Sequence, residues 1–357
     1  MILRRVILAA LVLLLGAAPA WPASAQDALD ALNEALSLHE AGKVEEAIRQ
    51  YDRAIQLNPR LAKAYIERGN AYADLDDDQR ALKDYSEAIR LDAKSAEGYY
   101  NRANTYRRLG QRDLALKDYS AAINLAPENE DIYLDRGTTH YQIGQYESAL
   151  RDYNEAIRLN PKDADAFYNR ANTYTRLGRK ERAIEDYDQA IALNAEFPEA
   201  YYNRGIARAD LGQYENAIRD YTEVVKAIPE APETYYNRGL AYYGLGQPEQ
   251  AIEDYNEAIR LNPKDPEPFY NRGVAYARLK NYERAARDFT EVIVIMPERG
   301  EAYGQRGLVR LRQGRDQEAE VDFKKAYQLD PKLKPLIDEA RKAAEKPEAG
   351  GEKKDKP

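Results

Sequence analysis

The sequence contains no cysteine and only two histidines among its 357 residues. Without cysteine there is no disulfide bond, no thiol nucleophile and no cysteine-ligated zinc or iron–sulfur cluster. Two histidines leave little material for imidazole catalysis or a metal centre. A basic excess is also missing, because 53 Lys and Arg residues stand against 61 Asp and Glu residues. We therefore expect no nucleic-acid binding, since phosphate contacts need a basic face.

Long apolar runs are absent except for one 13-residue stretch near the N-terminus, Val6–Ala18. It follows the basic pair Arg4 and Arg5 and precedes the small residues Ala23-Ser24-Ala25. This layout predicts a secretory signal peptide over residues 1–25. The alternative is an uncleaved membrane anchor, but 13 helical residues span roughly 20 Å of a ~30 Å hydrocarbon core. We expect cleavage after Ala25 or after Ala20, and an exported protein, periplasmic or secreted, without stable membrane insertion.

Tyrosine is heavily over-represented, with 29 residues against five Phe and one Trp, and so lopsided a composition indicates repetition. A pattern does recur every 34 residues from Ala28 to Leu333, without insertion or deletion. It defines nine repeats, at residues 28–61, 62–95, 96–129, 130–163, 164–197, 198–231, 232–265, 266–299 and 300–333. Positions 1 to 34 are counted from the first residue of each repeat.

Small and aromatic residues occupy fixed positions of the repeat, and their spacing predicts two helices packed against each other. Position 20 is always Ala, position 8 is always Gly or Ala, and position 24 is always aromatic. Small side chains let two helices approach closely, and the rings fill the space beside them. Position 15 is Gly in all but two repeats, where it is Asp76 and Lys280. That position is expected to close the first helix in a left-handed conformation.

The period and these positions resemble the tetratricopeptide repeat family. The resemblance implies an all-α fold, a right-handed superhelical α-solenoid of antiparallel helix pairs. It also implies that the first helix of each repeat lines a concave groove that binds protein or peptide partners. After the last repeat, residues 334–346 are expected to form a capping helix, and residues 347–357 a disordered charged tail.

Two positions of the repeat carry opposite charges, and we call the residues that share a position in successive repeats a column. Position 7 is Arg and position 23 is Asp in eight repeats, and the first repeat has neither. Their joint presence predicts bidentate ion pairs at a helix–helix seam. Three of these expected pairs are Arg170–Asp186, Arg204–Asp220 and Arg238–Asp254. The alternative is that the arginines form a receptor for carboxylates.

The family's groove positions carry polar amides and rings in this sequence. Position 6 is mostly Asn, and each amide is expected to be exposed and able to pair with a peptide backbone. Positions 5, 9 and 12 add tyrosines and aliphatic residues that form an apolar patch at nominally exposed sites. The candidate groove residues are Asn101, Asn169, Asn203, Asn237, Asn271, Tyr202, Tyr236, Tyr270, Ile206, Leu240, Val274 and Tyr243. Alternatively, the Asn column is only a solvated face, and the other residues cover neighbouring backbone or meet a second copy of the chain.

No phosphate-binding loop, dinucleotide fingerprint, zinc-protease motif or nucleophile elbow occurs in the sequence. No pair of carboxylates stands apart for acid–base chemistry, because the acids are spread over near-identical repeats. We therefore predict a non-enzymatic, exported scaffold that binds an extended segment of a partner protein, with no cofactor and no metal. Two alternatives remain open. One is a self-associating structural protein, and the other is an accessory protein that binds polysaccharide in cell-envelope assembly.

Overall fold

The computed structural model describes residues 23–345, which contain 19 α-helices and no strand. Most of the predicted signal peptide and the predicted tail lie outside these residues. The helices are α1 Ala23–Glu40, α2 Val44–Leu57, α3 Ala62–Asp74, α4 Asp78–Leu91, α5 Ala96–Arg108, α6 Arg112–Leu125, α7 Glu130–Gln142, α8 Tyr146–Leu159, α9 Ala164–Arg176, α10 Lys180–Leu193, α11 Pro198–Asp210, α12 Tyr214–Ala227, α13 Pro232–Gly244, α14 Pro248–Leu261, α15 Pro266–Arg278, α16 Tyr282–Ile295, α17 Gly300–Arg312, α18 Asp316–Leu329 and α19 Leu333–Glu345.

From α3 to α18 the helices keep the sequence period. The first helix of a repeat covers positions 1–13 and the second covers positions 17–30. The all-α prediction is thereby confirmed, as an array of helix pairs. Helix α1 starts earlier, at Ala23, so the predicted cleavage site after Ala25 lies in its first turn.

The chain divides into two compact units, residues 1–161 and residues 162–357. Within each unit, the first helix of a repeat packs on its own second helix, which then packs on the first helix of the following repeat. First helices of successive repeats also contact one another, for example α11 with α13 and α13 with α15. In the second unit, α19 packs on α17 and α18. Each unit therefore has a face formed by its first helices.

The buried core has the same 34-residue period as the sequence. Every position-20 alanine is fully buried, and the position-24 rings are at most 2% exposed. The ring at position 24 lies against the small residue at position 8 of its own repeat. A Cβ added to Gly205 would come within 2.8 Å of the Tyr221 ring, for example. A larger residue at position 8 would therefore push the two helices of the repeat apart.

The left-handed residue between the two helices is present in all nine repeats, as predicted. Seven are glycines with φ between +72° and +83°, and Asp76 and Lys280 adopt φ values of 57° and 61°. A side chain in this region carries a steric cost that glycine avoids. None of the helices described is long and apolar enough to cross a bilayer.

Candidate partner-binding groove

The first-helix face of the second unit carries a row of tyrosines at position 5 that are tied to the asparagines of the following repeat. Asn203 Nδ2 donates to the Tyr168 hydroxyl at 3.1 Å, and Asn237 Nδ2 donates to Tyr202 at 2.8 Å. Asn271 repeats the contact with Tyr236 at 3.0 Å. We call Tyr168, Tyr202 and Tyr236 the tyrosine row. Each bond joins two neighbouring repeats, so the row is held in a fixed orientation.

These contacts correct the expectation that the asparagines are freely exposed. The side chains of Asn169, Asn203, Asn237 and Asn271 are half-buried. Asn203 also donates to Asn172 at 3.1 Å, and Asn271 donates to the backbone oxygen of Glu267 at 3.1 Å. In the first unit, Asn101 is likewise half-buried and donates to Asn70 Oδ1 at 2.9 Å. Asn203 and Asn271 thus use their side-chain amide group twice within the protein, and Asn237 and Asn101 use it once, which leaves fewer amide protons for a ligand.

The aliphatic residues at position 9 are also half-buried rather than exposed. Ile206 packs on the cluster around Tyr221, Leu240 on the cluster around Tyr255, and Val274 on the cluster around Phe289. The position-24 ring of the same repeat belongs to the cluster on which each of them packs. Only part of each side chain therefore remains for a ligand.

The remaining two groove residues, Tyr243 and Tyr270, are aromatic. Tyr243 is half-buried, and the Arg278 guanidinium lies 5.2 Å from its ring centroid. The Tyr270 ring packs against Phe289, with centroids 5.6 Å apart. Burial raises the pKa of the Tyr202, Tyr236 and Tyr270 hydroxyls, because an ionised phenol is less well solvated there. These hydroxyls stay protonated near neutral pH and can donate a hydrogen bond.

The Arg and Asp columns face each other inside single repeats. Arg170 donates Nε and Nη2 to the two carboxylate oxygens of Asp186, both at 2.7 Å. Arg204 and Arg238 contact Asp220 and Asp254 in the same way, at 2.6–3.1 Å. The Asp side chains are 3–8% exposed. Such burial within the repeat favours the structural interpretation over a receptor for external carboxylates.

Sequence reasoning missed a third contact of these arginines. Within a unit, the remaining nitrogen Nη1 contacts the position-25 side chain of the preceding repeat, as in Arg204 to Asp188 at 2.6 Å and Arg272 to Asn256 at 2.6 Å. The sequence did contain a signal for this contact. Position 25 carries a side chain with an oxygen acceptor in repeats 1 to 8, each of which is followed by another repeat. Those residues are Asp52, Ser86, Ser120, Asn154, Asp188, Thr222, Asn256 and Thr290, and the ninth repeat has Lys324.

Comparison with known proteins agrees with this architecture. Profiles of the tetratricopeptide repeat match residues 35–246 in overlapping segments, and further profiles match residues 232–265, 254–287 and 300–333. The chain therefore belongs to the tetratricopeptide repeat family. Among curated proteins, no significant match was found.

Several solved structures are similar. The C-terminal part of a tetratricopeptide repeat protein from Cytophaga hutchinsonii is 18% identical, with a TM-score of 0.59, over 67% of this chain and 98% of that one. PilF of Pseudomonas aeruginosa is 19% identical, with a TM-score of 0.51, over 58% and 94%. MamA from Desulfovibrio magneticus is 28% identical, with a TM-score of 0.46, over 48% and 96%. The first two likenesses concern the fold alone.

Family membership supports a general role. Tetratricopeptide arrays bind protein or peptide partners and typically act as non-catalytic scaffolds. The fold of this chain therefore supports a protein–protein interaction scaffold. Within residues 23–345, no cluster of three or more His, Cys, Asp or Glu side chains is arranged to hold a metal ion.

Proposed function

We propose that the protein is an exported scaffold that binds an extended segment of a partner protein along the first helices of repeats 5 to 8. The observation that carries the proposal is the tyrosine row, in which each hydroxyl accepts a hydrogen bond from the Asn of the next repeat. A row fixed in this way loses little conformational entropy when a ligand binds, which favours affinity.

The chemistry of the row suits an extended peptide. A tyrosine hydroxyl that accepts from Asn keeps its own proton and can donate it to a backbone carbonyl of the ligand. The ring beside it offers apolar surface, as aromatic residues commonly do at interfaces. In this proposal the asparagines orient the rings, and the tyrosines and the exposed parts of Ile206, Leu240 and Val274 contact the ligand.

The test compares two sets of Tyr→Phe variants against the partner that co-purifies with the mature protein from its own cells. One variant changes Tyr168, Tyr202 and Tyr236, and we expect weaker binding by about 0.5–1.5 kcal/mol for each lost hydrogen bond. The control changes Tyr201 and Tyr235 at position 4, where repeats 5 and 8 naturally carry Phe167 and Phe269. Equal binding by both variants would exclude the tyrosine row as the site.

Export is the second part of the proposal, and it rests on the layout of residues 1–25 described above. Residues 1–30 fused to a reporter that is active only outside the cytoplasm should give signal. The mature chain should begin at Gln26. Recovery of a chain with intact Met1 from membranes would contradict cleavage and would indicate an anchor instead.

Self-association is the second candidate function, and exposed apolar residues near the C-terminal end favour it. Val294 on α16, Val321 on α18 and Leu336 on α19 are 68%, 66% and 64% exposed. At the repeat position of Val321 all eight other repeats have a charged residue, and at that of Val294 four of the eight do. Sedimentation velocity of the mature protein, with and without Val294→Lys and Val321→Lys, distinguishes a monomeric scaffold from an oligomer built through this surface.

A further inference from the structure

A cavity of about 380 Å³ opens beside Tyr202, at the edge of the first-helix face. Glu199, Ile228, Ala231 and Glu233 also line it. Three features of this cavity together indicate what it binds. They concern position 31, position 34 and the acidic residues at position 2.

Position 31 is the first feature, because Ile228 replaces a residue that stabilises the turn in other repeats. Where this position is Asn or Asp, its side chain commonly accepts a hydrogen bond from the backbone N–H two residues later, at 2.9–3.4 Å. Isoleucine cannot accept that bond, and Ile228 leaves 42% of its surface exposed at the cavity. Repeat 6 therefore lacks a local stabilising contact and presents an apolar wall instead.

Position 34 is the second feature, and two other repeats fill the corresponding site with their own side chains. In repeat 8, the Arg299 guanidinium lies 4.4 Å from the Tyr270 ring centroid and donates to both Glu267 oxygens, at 2.6 and 3.2 Å. In repeat 5, Phe197 covers Tyr168 with ring centroids 4.8 Å apart.

In repeat 6, position 34 is Ala231, so no side chain from this position covers Tyr202. The other two partners of the repeat-8 arrangement are nevertheless retained, since Tyr202 corresponds to Tyr270 and Glu199 corresponds to Glu267. The cavity thus has the ring and the carboxylate, but among the residues that the structure describes no Arg or Lys occupies the place that Arg299 has in repeat 8.

Unbalanced charge is the third feature. Glu199 and Glu233 are both exposed, and within residues 23–345 neither is paired with a Lys or Arg. Glu267, by contrast, is neutralised by Arg299. Two unneutralised carboxylates at the rim of an apolar cavity favour a ligand that combines a positive charge with an aliphatic stem.

We propose that this cavity binds an arginine side chain of the partner protein. The guanidinium stacks on the Tyr202 ring and pairs with Glu199, as Arg299 does with Tyr270 and Glu267, while the aliphatic stem packs on Ile228. The inference rests on the proposed function, because it assigns one residue of the bound segment.

The first experiment uses the full chain, labelled with ¹³C at the isoleucine methyl groups, and two matched probes. The probes are N-acetyl-arginine methylamide and N-acetyl-citrulline methylamide, which have nearly the same shape but differ in charge. We expect the arginine probe to shift the Ile228 methyl signal at millimolar concentration and the citrulline probe to bind about tenfold more weakly. Equal shifts with both probes would overturn the proposal, and so would no shift with either.

The second experiment fills the cavity from within the chain. Ala231→Arg supplies the side chain that repeat 8 has, and the backbone accepts it because Ala231 (φ −96°, ψ 93°) and Arg299 (φ −78°, ψ 92°) are alike. We expect loss of arginine-probe binding. Ala192→Arg is the matched control, since it adds the same charge at exposed position 29, which is Arg in repeats 2, 4 and 7. Unchanged binding by Ala231→Arg would contradict the proposal.

The reverse substitution, Arg299→Ala, should open a second site with Tyr270 and Glu267, detected as an additional binding event for the arginine probe. Failure of this inference can be separated from failure of the proposed function. If the tyrosine-row variant loses the partner and Ala231→Arg does not, the groove stands and the arginine subsite is wrong. If Ala231→Arg instead dissociates an oligomer in sedimentation, the cavity is an interface between copies, which overturns the proposal.

Discussion

Arg238 and Asp254 lie on the two helices of one repeat and share two parallel hydrogen bonds, Nε to Oδ2 at 2.8 Å and Nη2 to Oδ1 at 2.7 Å. The third guanidinium nitrogen, Nη1, donates to Thr222 Oγ1 in the preceding repeat at 3.2 Å. The ring of Tyr235 lies 5.6 Å from the guanidinium carbon. One side chain therefore connects α12, α13 and α14, which couples neighbouring repeats in an array whose stability depends on nearest-neighbour contacts.

Replacing Arg238 with Ala should lower the free energy of unfolding by about 3–5 kcal/mol, because Asp254 would remain buried without its partner. The hydrogen bonds that Arg238 donates to Asp254 raise the pKa of Arg238, so the guanidinium is charged throughout the accessible pH range. The double change Arg238→Leu with Asp254→Leu should recover much of the loss, since neither charge is then left buried. Urea unfolding followed by circular dichroism measures both effects.

The Arg204–Asp220 pair provides an internal control. Asp220 also accepts from Arg208 Nη1, at 3.1 and 3.0 Å, so it keeps a cationic partner when Arg204 is removed. Arg204→Ala should therefore cost less than Arg238→Ala, despite the similar burial of the two pairs. Equal losses would mean that the uncompensated carboxylate is not the source of the destabilisation.

The asparagines and tyrosines of adjacent repeats should be energetically coupled. Tyr202→Phe and Asn237→Ala each remove the same 2.8 Å hydrogen bond. The double variant should therefore lose less stability than the sum of the single variants, by about 0.5–1.5 kcal/mol. A double-mutant cycle of unfolding free energies measures this difference. Strict additivity would show that the bond contributes nothing and that the row is not held as described.

The repeated elements of the fold could be predicted from the sequence because the same steric requirements recur in all nine repeats. Ala at position 20, small residues at position 8 and the left-handed position 15 each follow from a steric requirement that recurs every 34 residues. A single-sequence pattern does not show which partner a polar side chain selects. The amide of Asn237 was expected to face solvent, yet it reaches 35 residues back to the hydroxyl of Tyr202.

The cavity beside Tyr202 is formed by residues that differ from the common repeat pattern. The pattern therefore did not predict it. Ile228 and Ala231 occupy positions that vary between repeats, and position 34 alone is Leu, Ser, Asn, Asp, Phe, Ala or Arg. The meaning of Ala231 becomes visible only when Arg299 is seen stacked on Tyr270 at the corresponding site.

Position 15 allows the cost of a left-handed residue to be measured without a steric clash. Gly212 has φ of +74°, and a Cβ added there would meet no atom within 4 Å. Gly212→Ala should therefore destabilise by about 1 kcal/mol through backbone strain alone. Lys280→Gly, at the same repeat position, should shift stability in the opposite direction. Thermal unfolding of both variants is the measurement, and a stabilising Gly212→Ala would contradict the assigned conformation.

Two buried tyrosines at position 24 differ in the hydrogen bonding of their hydroxyl groups. The Tyr187 hydroxyl donates to Asn172 Oδ1 at 2.6 Å, whereas the buried Tyr255 hydroxyl has no hydrogen-bond partner among the residues described. The difference follows from position 9, which is Asn172 in one repeat and Leu240 in the other. Repeats 8 and 9 combine an apolar position 9 with Phe289 and Phe323, which leaves no hydroxyl to satisfy.

Tyr255→Phe should therefore be neutral or stabilise the protein by up to about 1 kcal/mol, because it removes a buried polar atom whose desolvation is uncompensated. Tyr187→Phe should destabilise by about 0.5–1.5 kcal/mol, since a made hydrogen bond is lost from the same repeat position. Urea unfolding midpoints of the two single variants, measured side by side, decide the matter. A larger loss for Tyr255→Phe than for Tyr187→Phe would show that the Tyr255 hydroxyl is satisfied in solution, for instance by a buried water bound next to Leu240.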